Sequence, residues 1–350
     1  MKKDINVYMF HSKVNSATEF VAFLKIDELE SYYNFIWNSK DPSYLFASDE
    51  IYTCKKNWRR FQKLYNKASI KIIYAAEAFS PDWNLFDYAI GFDAHLSNED
   101  RFCILPPFTL FYKEFYEGEF RNKINSVNEA YGILREKKKF CNFLYSNYNA
   151  HPNRDKLFYL ISNYKKVDSL GKHLNNVGNR ATGYIGHRLE CIPMKSSYKF
   201  SIAAENANYK GYTSEKILTS LCAHTVPVYW GNPDIILELN PKSFINCHQF
   251  ESQQEILNRI KEIDINDDLW CEIISEPWQT EEQVERSKQR MTNYVCFIDS
   301  IFAQEISAAK RVPEGAFVYR YREILFSSKI PRLNLCKIVW KKIMRTFKTV

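Results

Sequence analysis

A chain of 350 residues with 45% apolar and 16% aromatic content can bury a substantial core, which excludes a disordered protein and predicts two domains. The net charge of +7 has one address: seven lysines and arginines and no acid lie from Lys329 onward, and the preceding chain is balanced at 41 basic and 41 acidic residues, which argues against a nucleic-acid binder. Nine scattered cysteines show neither close pairing nor metal-ligand spacing and point to a reducing compartment.

The opening MKKDINVYMF lacks the apolar core of a signal peptide, and no run approaches the roughly 18 apolar residues of a membrane span, so neither is expected. A first strand is expected over 6–10, with a further element over 20–24. In the basic segment 55–67, Trp58, Phe61, Leu64 and Tyr65 recur at helical spacing, the mark of a surface helix with one buried stripe rather than a nucleic-acid patch. A buried strand over 70–74 ends near Glu77, the chain turns at Ser80-Pro81-Asp82, and a strand resumes over 88–92. Glu77 thus stands just past a strand end among Tyr74, Phe79 and Trp83. Partial desolvation there would raise its pKa and make it a proton acceptor near neutrality; the same position also suits an ordinary solvated loop acid.

Leu105-Pro106-Pro107 marks a turn, residues 113–139 are charged with helical stretches, and 135–139 read as a solvated face before a strand over 140–145, where the domain junction is placed. Pro152-Asn153-Arg154 starts a helix that buries Leu157, Phe158 and Ile161. Arg154 at that end opposes the helix dipole, so it needs either an anion, such as a pyrophosphate, or a surface salt bridge. Residues 167–172 read as a strand end and turn, and Arg180, in the polar loop that follows, is a weaker phosphate candidate.

The chain is organised around residues 198–234, which read as strand, polar loop, helix, strand. An apolar strand over 199–204 ends in Glu205 and Asn206; Thr213 is the expected cap of a helix that carries Ile217, Leu218, Leu221 and Cys222 on one face; a second strand runs over 226–230. Such a unit implies a right-handed crossover in a parallel sheet, with ligands beyond the carboxyl ends of the strands, where Glu205, Asn206, Tyr212, Glu215 and Lys216 gather. A carboxylate there accepts hydrogen bonds from a ribose diol, and an ammonium and a helix amino terminus hold phosphate, which together describe a nucleotide. An acid in a first helical turn also complements the dipole with no ligand present.

Beyond this unit the pattern gives a short strand over 241–246, an amphipathic helix over 251–263, a break at Pro277-Trp278, an apolar helix over 295–302, and a last strand or packed loop over 312–319. Seven scattered histidines have no metal-ligand spacing, and His224 reads as structural. From 329 to 350 the tail sets Cys336, Val339, Trp340, Ile343, Phe347 and Val350 against a basic face, which suits an anionic membrane surface as well as a core helix or a disordered basic tail.

The central segment resembles the donor-binding signature of the α1,3/4-fucosyltransferases: Glu-Asn, a spacer, Tyr-x-(Ser/Thr)-Glu-Lys, a helix, then V-P-V-x-W-G. Here it reads Glu205-Asn206, Tyr212-Thr213-Ser214-Glu215-Lys216 and Val226-Pro227-Val228-Tyr229-Trp230-Gly231. The stretches from Tyr74 to Asp93 and from Lys138 to Tyr159 are similar to bacterial members, and the three blocks keep the family's order across about residues 70–250. Ala207 in the spacer and Ala75-Ala76 before Glu77 depart from the usual residues.

The resemblance implies an α/β fold of the GT-B type, with two Rossmann-like domains facing across a cleft: 1–137 for the acceptor, 138–310 for GDP-fucose, a connecting segment 311–328 and the basic tail 329–350. It implies transfer of L-fucose from GDP-fucose, with inversion, to a hydroxyl of an oligosaccharide such as O3 of GlcNAc in N-acetyllactosamine-like, Lewis-type glycans. Glu77 would be the general base, with Tyr74 beside it on the acceptor side; Arg154, Glu205, Asn206, Tyr212, Glu215 and Lys216 would bind the donor, Glu215 and Lys216 also serving catalysis. No cofactor is expected beyond the donor substrate, and a divalent metal is at most stimulatory. The expected setting is the bacterial cytoplasm, with the tail on the inner face of the membrane. A transferase of the same fold with another nucleotide sugar, or a noncatalytic glycan- or membrane-binding module, is the alternative.

Overall fold

The computed structural model describes residues 2–105, 124–178 and 190–327. The expectations for Pro106-Pro107, Arg180 and the 329–350 tail lie outside these residues. Two parallel sheets carry the chain. The first has the order β2-β1-β3-β4-β5-β6, built from β1 (Lys3–Phe10), β2 (Tyr33–Trp37), β3 (Tyr44–Ser48), β4 (Ile70–Ala75), β5 (Tyr88–Gly91) and β6 (Phe102–Ile104). The second has the order β11-β10-β9-β7-β8, built from β7 (Lys139–Phe143), β8 (Val167–Ser169), β9 (Tyr198–Ala204), β10 (Val226–Trp230) and β11 (Ile245–Asn246).

Strands covered on both faces need near-continuous apolar runs, and β3 and β4 are buried at every position. Alternate residues of the first sheet enter two clusters. Ile5, Val7, Met9 and Ile72 meet α1 (Ala17–Leu24), while Phe10, Leu45 and Ile73 meet α2 (Lys55–Tyr65) through its Trp58, Phe61, Leu64 and Tyr65 stripe. The basic segment is thus the surface helix that its spacing describes. Neither β2 nor β3 has a counterpart in the sequence expectations.

The second sheet packs Phe143, Phe200, Ile202, Val226 and Val228 against α4 (Asn153–Ser162), α7 (Gln253–Ile265) and α8 (Asp267–Ser275), with α3 (Val127–Glu136) at its margin. Its other face seats α5 (Cys191–Lys195) and α6 (Glu215–Cys222). Residues 135–139, expected as a solvated face, hide one exception. The Lys137 ammonium donates to Ser196 O at 2.6 Å and Ala223 O at 2.7 Å, the C-caps of α5 and α6, and burial pushes its pKa down to about 7.

The chain then returns to the first sheet. The long α9 (Glu281–Ala303) begins in a Thr280/Gln283 capping box, and its second half buries Tyr294, Val295, Ile298, Ile301 and Phe302 in the α1 cluster. Part of the 138–310 span therefore completes the amino-terminal core. After the short α10 (Ile306–Ala309), residues 316–327 form α11 (Ala316–Ser327), where the expectation over 312–319 was a strand or loop. This helix is docked by side chains on distant backbone: Gln62 donates to Phe326 O and Arg322 to Asn84 O.

Candidate active site

β9 ends at Ala204, and the next residue, Glu205, is fully buried. Its Oε1 accepts from Ser214 N at 2.7 Å; its Oε2 accepts from Ser214 Oγ at 2.7 Å and from Lys216 Nζ at 2.9 Å. Ser214 is the N-cap of α6, but its hydroxyl caps nothing in the helix; the Glu205 carboxylate takes the orphan amide and complements the dipole. Thr213, the expected cap, instead accepts from Asn232 Nδ2 at 3.0 Å. Glu205 lies so close to β10 that a Cβ on Gly231 would stand 2.4 Å from its Cγ, which explains the glycine that closes that strand. Its place is therefore beneath the site, where it orients Ser214 and Lys216.

Lys216 keeps 18% of its side chain exposed. Burial opposes its charge, but Glu205, aided by Glu215 and Tyr212, outweighs that and holds its pKa well above the ordinary lysine value. Two of its three N–H donors go to Glu205 and Ser214, which leaves one for a ligand. Glu215 precedes it, half-buried in the first turn.

Arg154 is 1% exposed, its guanidinium over the Tyr145 ring at 4.6 Å, and it donates to Asn147 O and, at 3.3 Å, to Asn206 Oδ1. That places it behind Asn206 and closed to solvent, with its Nε 3.8 Å from Asp155 Oδ1. The Asn206 amide in turn donates to Glu77 Oε2 at 3.4 Å, and Tyr212 OH donates to the same oxygen at 2.9 Å. An acid that follows β4 of the first sheet thus meets the loop that follows β9 of the second. Glu77 is exposed, contrary to the expected desolvation, and among the described residues its Oε1 accepts no hydrogen bond. Tyr74, expected on the acceptor side, is buried in the first core with its ring edge-on to Phe23 at 5.9 Å. The pleat turns it inward while the loop beyond Ala75 carries Glu77 out.

Three further groups stand here with no signal in the sequence expectations. Asp49 follows β3, and burial, then the charge of Glu77, pushes its carboxyl up to about 6. Asp93, 3% exposed, accepts from Ser80 Oγ at 2.6 Å, His95 N at 3.1 Å and Tyr209 OH at 3.1 Å. Lys195, buried under α6, donates to Thr219 Oγ1 at 2.9 Å and Ser220 Oγ at 3.0 Å, and burial pushes its pKa down to about 8. An unrecognised β3 hid Asp49; the other two depend on contacts between distant segments. Among the described residues no group of three or more His, Cys, Asp or Glu side chains is arranged to hold a metal ion, and no helix is long and apolar enough to cross a membrane.

Residues 134–314, more than half of the chain, match the model of the glycosyltransferase family 10 (fucosyltransferase) C-terminal region, and residues 7–112 match that of the alpha-(1,3)-fucosyltransferase FucT N-terminal domain. This chain belongs to glycosyltransferase family 10. Among relatives of this family 10 chain, a protein of Acanthamoeba polyphaga mimivirus named as a candidate fucosyltransferase is 29% identical over 242 residues, 67% of this chain and 38% of its own length. The alpha-(1,3)-fucosyltransferase FucT of Helicobacter pylori is 29% identical over 239 residues, 59% of this chain and 46% of its own. The chain thus spans less than half the length of either relative. A crystal structure of alpha1,3-fucosyltransferase superposes with a TM-score of 0.67 at 23% identity, covering 90% of this chain and 94% of that one. A crystal structure of alpha1,3-fucosyltransferase with GDP-fucose gives 0.64 at 24% identity, covering 87% of this chain and 92% of that one. The family 10 chain accordingly has the GT-B fold, and its two parallel sheets present their carboxyl ends to one another at Glu77 and Asn206.

Proposed function

We propose that this family 10 protein transfers L-fucose from GDP-fucose to a hydroxyl of an oligosaccharide acceptor, O3 of GlcNAc in N-acetyllactosamine-like glycans, with inversion. The observation that carries the reading is the meeting of an exposed acid with the donor-signature loop: Tyr212 and Asn206 fix one oxygen of Glu77 and leave the other to take a proton. In the transfer, the acceptor oxygen forms its bond to the anomeric carbon as the bond to the diphosphate oxygen breaks. Glu77 Oε1 takes the hydroxyl proton, and the electron pair leaves with GDP. The third Lys216 N–H and the amides of the first turn of α6 meet the departing phosphate, while Glu215, in the same turn, accepts from the ribose diol. Arg154 reaches a phosphate only once Asn206 yields; until then it orients the Asn206 amide.

No divalent metal is needed in this scheme, because Lys216, Arg154 and the amides supply the charge stabilisation. Residues 329–350 are proposed to hold the protein on an anionic membrane surface, the inner face of a bacterial cytoplasmic membrane. The products are Lewis-type surface glycans.

The test is a donor screen with GDP-fucose, GDP-mannose and UDP-sugars on a lactosamine acceptor, run with and without EDTA and read by mass spectrometry. Fucosylated product from GDP-fucose with EDTA present is the expected result; product from another donor alone would reassign the substrate. In Glu77→Gln, kcat should fall at least about 100-fold while GDP binding persists. Equal turnover by wild type and variant would remove Glu77 as the base. Deletion of 329–350 should abolish pelleting with anionic liposomes at low salt and spare turnover on a soluble acceptor; unchanged pelleting would refute the anchor.

A further inference from the structure

Glu77 is not the only carboxylate that joins the two sheets. Asp93, just past β5 and buried to 3% exposure, holds Ser80 of its own unit at 2.6 Å and Tyr209 of the opposite unit at 3.1 Å, both on Oδ2, while Oδ1 takes His95 N at 3.1 Å. Among the described residues no lysine or arginine forms an ion pair with it. A buried carboxylate without a counter-ion is costly, and here three donors offset that cost, one of them from 116 residues away. Packing adds to the joint. The Phe92 ring lies 5.7 Å from Tyr209 and 4.7 Å from Tyr212, and Gly211 (φ +84°) passes so close that a Cβ would stand 2.1 Å from Phe92 O.

Ser80 lies three residues beyond Glu77, whose carbonyl accepts from Phe79 N at 2.9 Å, and Tyr209 lies three residues before Tyr212, whose N–H donates back to Tyr209 O at 3.1 Å. Two tight turns therefore link the Asp93 junction to the Glu77 junction. When Asn206 yields so that Arg154 can reach a donor phosphate, its bond to Glu77 is lost and Tyr212 OH alone still holds that oxygen, while the Asp93 bonds involve none of those groups.

We propose that Asp93 is a positioning residue that keeps the Glu77 loop and the Asn206–Tyr212 loop in register across the cleft when the donor displaces the direct bond between Asn206 and Glu77. This rests on the proposed transfer for its kinetic consequence but not for its structural one. The carboxylate accepts from all three groups at once, whereas an amide could keep His95 N only by turning its NH2 to Ser80 and Tyr209, whose hydroxyls would then accept in place of making charge-assisted bonds.

The test uses the full chain with Tyr209→Phe, Ser80→Ala and Asp93→Asn, the first two retaining the buried carboxylate should Asp93→Asn fail to fold. In Tyr209→Phe, loss of a bond to a charged group should lower kcat by about tenfold or more and leave GDP affinity, by calorimetry, within about threefold of wild type. Amide hydrogen exchange, measured without substrate, should quicken over residues 77–82, on the other side of the cleft from the substitution. Ser80→Ala should quicken exchange over 206–212 in the same way. Unchanged exchange over both loops in folded Tyr209→Phe and Ser80→Ala overturns the proposal, as does a kcat equal to wild type in an active enzyme. If the wild type transfers no sugar from any donor, the proposed function fails on its own, and the exchange result alone decides the role of Asp93.

Discussion

On the α2 side of the first sheet, Phe10, Leu45 and Ile73 meet Trp58, Phe61 and Leu64 through apolar packing with no polar network, and the buried Trp58 Nε1 has no hydrogen-bond partner among the described residues. Under α6, on one face of the second sheet, a buried polar chain runs instead. Lys195 donates to Ser220 Oγ, which lies 3.0 Å from Ser201 Oγ; Ser201 donates to Asn142 Oδ1 at 3.0 Å, and Asn142 Nδ2 to Phe200 O at 3.1 Å. Ile217, Leu218 and Leu221 still pack on Ala203 and Tyr229, but the azimuth and height of α6 are set by directional bonds at Lys195 and Glu205. Apolar packing tolerates small shifts, whereas a hydrogen-bonded network admits one arrangement. The helix that presents Glu215 and Lys216 rests on the second kind of support, and α2, which presents nothing to the site, rests on the first.

Three measurements would break or sharpen this contrast. The largest effect is expected from Glu205→Ala, which strips Lys216 and Ser214 of their partner at once. Stability should fall by about 3–5 kcal/mol in chemical denaturation, and GDP binding should weaken with it. Retained GDP affinity would mean that Glu205 does not orient the donor helix. Next is a pH effect. The folded pKa of Lys195 lies at about 8, below the unfolded value, so the unfolded chain binds the extra proton between them and stability rises with pH across that window. Comparison of pH 8 with pH 9.5 should show a gain of up to about 2 kcal/mol that Lys195→Met removes. The same slope in both proteins would deny the burial of that amine. The smallest effect is expected from Phe61→Leu, about 1–2 kcal/mol in stability with no change in GDP affinity. A change in GDP affinity there would dissolve the distinction between the two supports.

The sequence by itself determined the parts whose information is local. The four-residue stripe of α2, the apolar runs of β4 and β9, and the β9–α6–β10 unit with its polar residues at the strand end all follow from periodicity and turn chemistry within a dozen neighbours. Glu205, Asn206 and Glu77 were legible as polar groups just past strands whose pattern is plain, whereas the roles expected of Glu77 and Arg154 came with the family resemblance. β2 and β3 are short and aromatic without a clear period, so Asp49 went unseen with them.

Only the tertiary structure decided which groups meet. Tyr74 faces the core, Glu205 is consumed under α6, α9 closes the first sheet after leaving the second, and Glu77 and Asp93 reach partners more than 100 residues away. The physical reason is that burial and hydrogen bonding depend on distance in space. A side chain's neighbours in sequence fix its face of a strand or helix, and nothing in them fixes what the packed chain brings opposite.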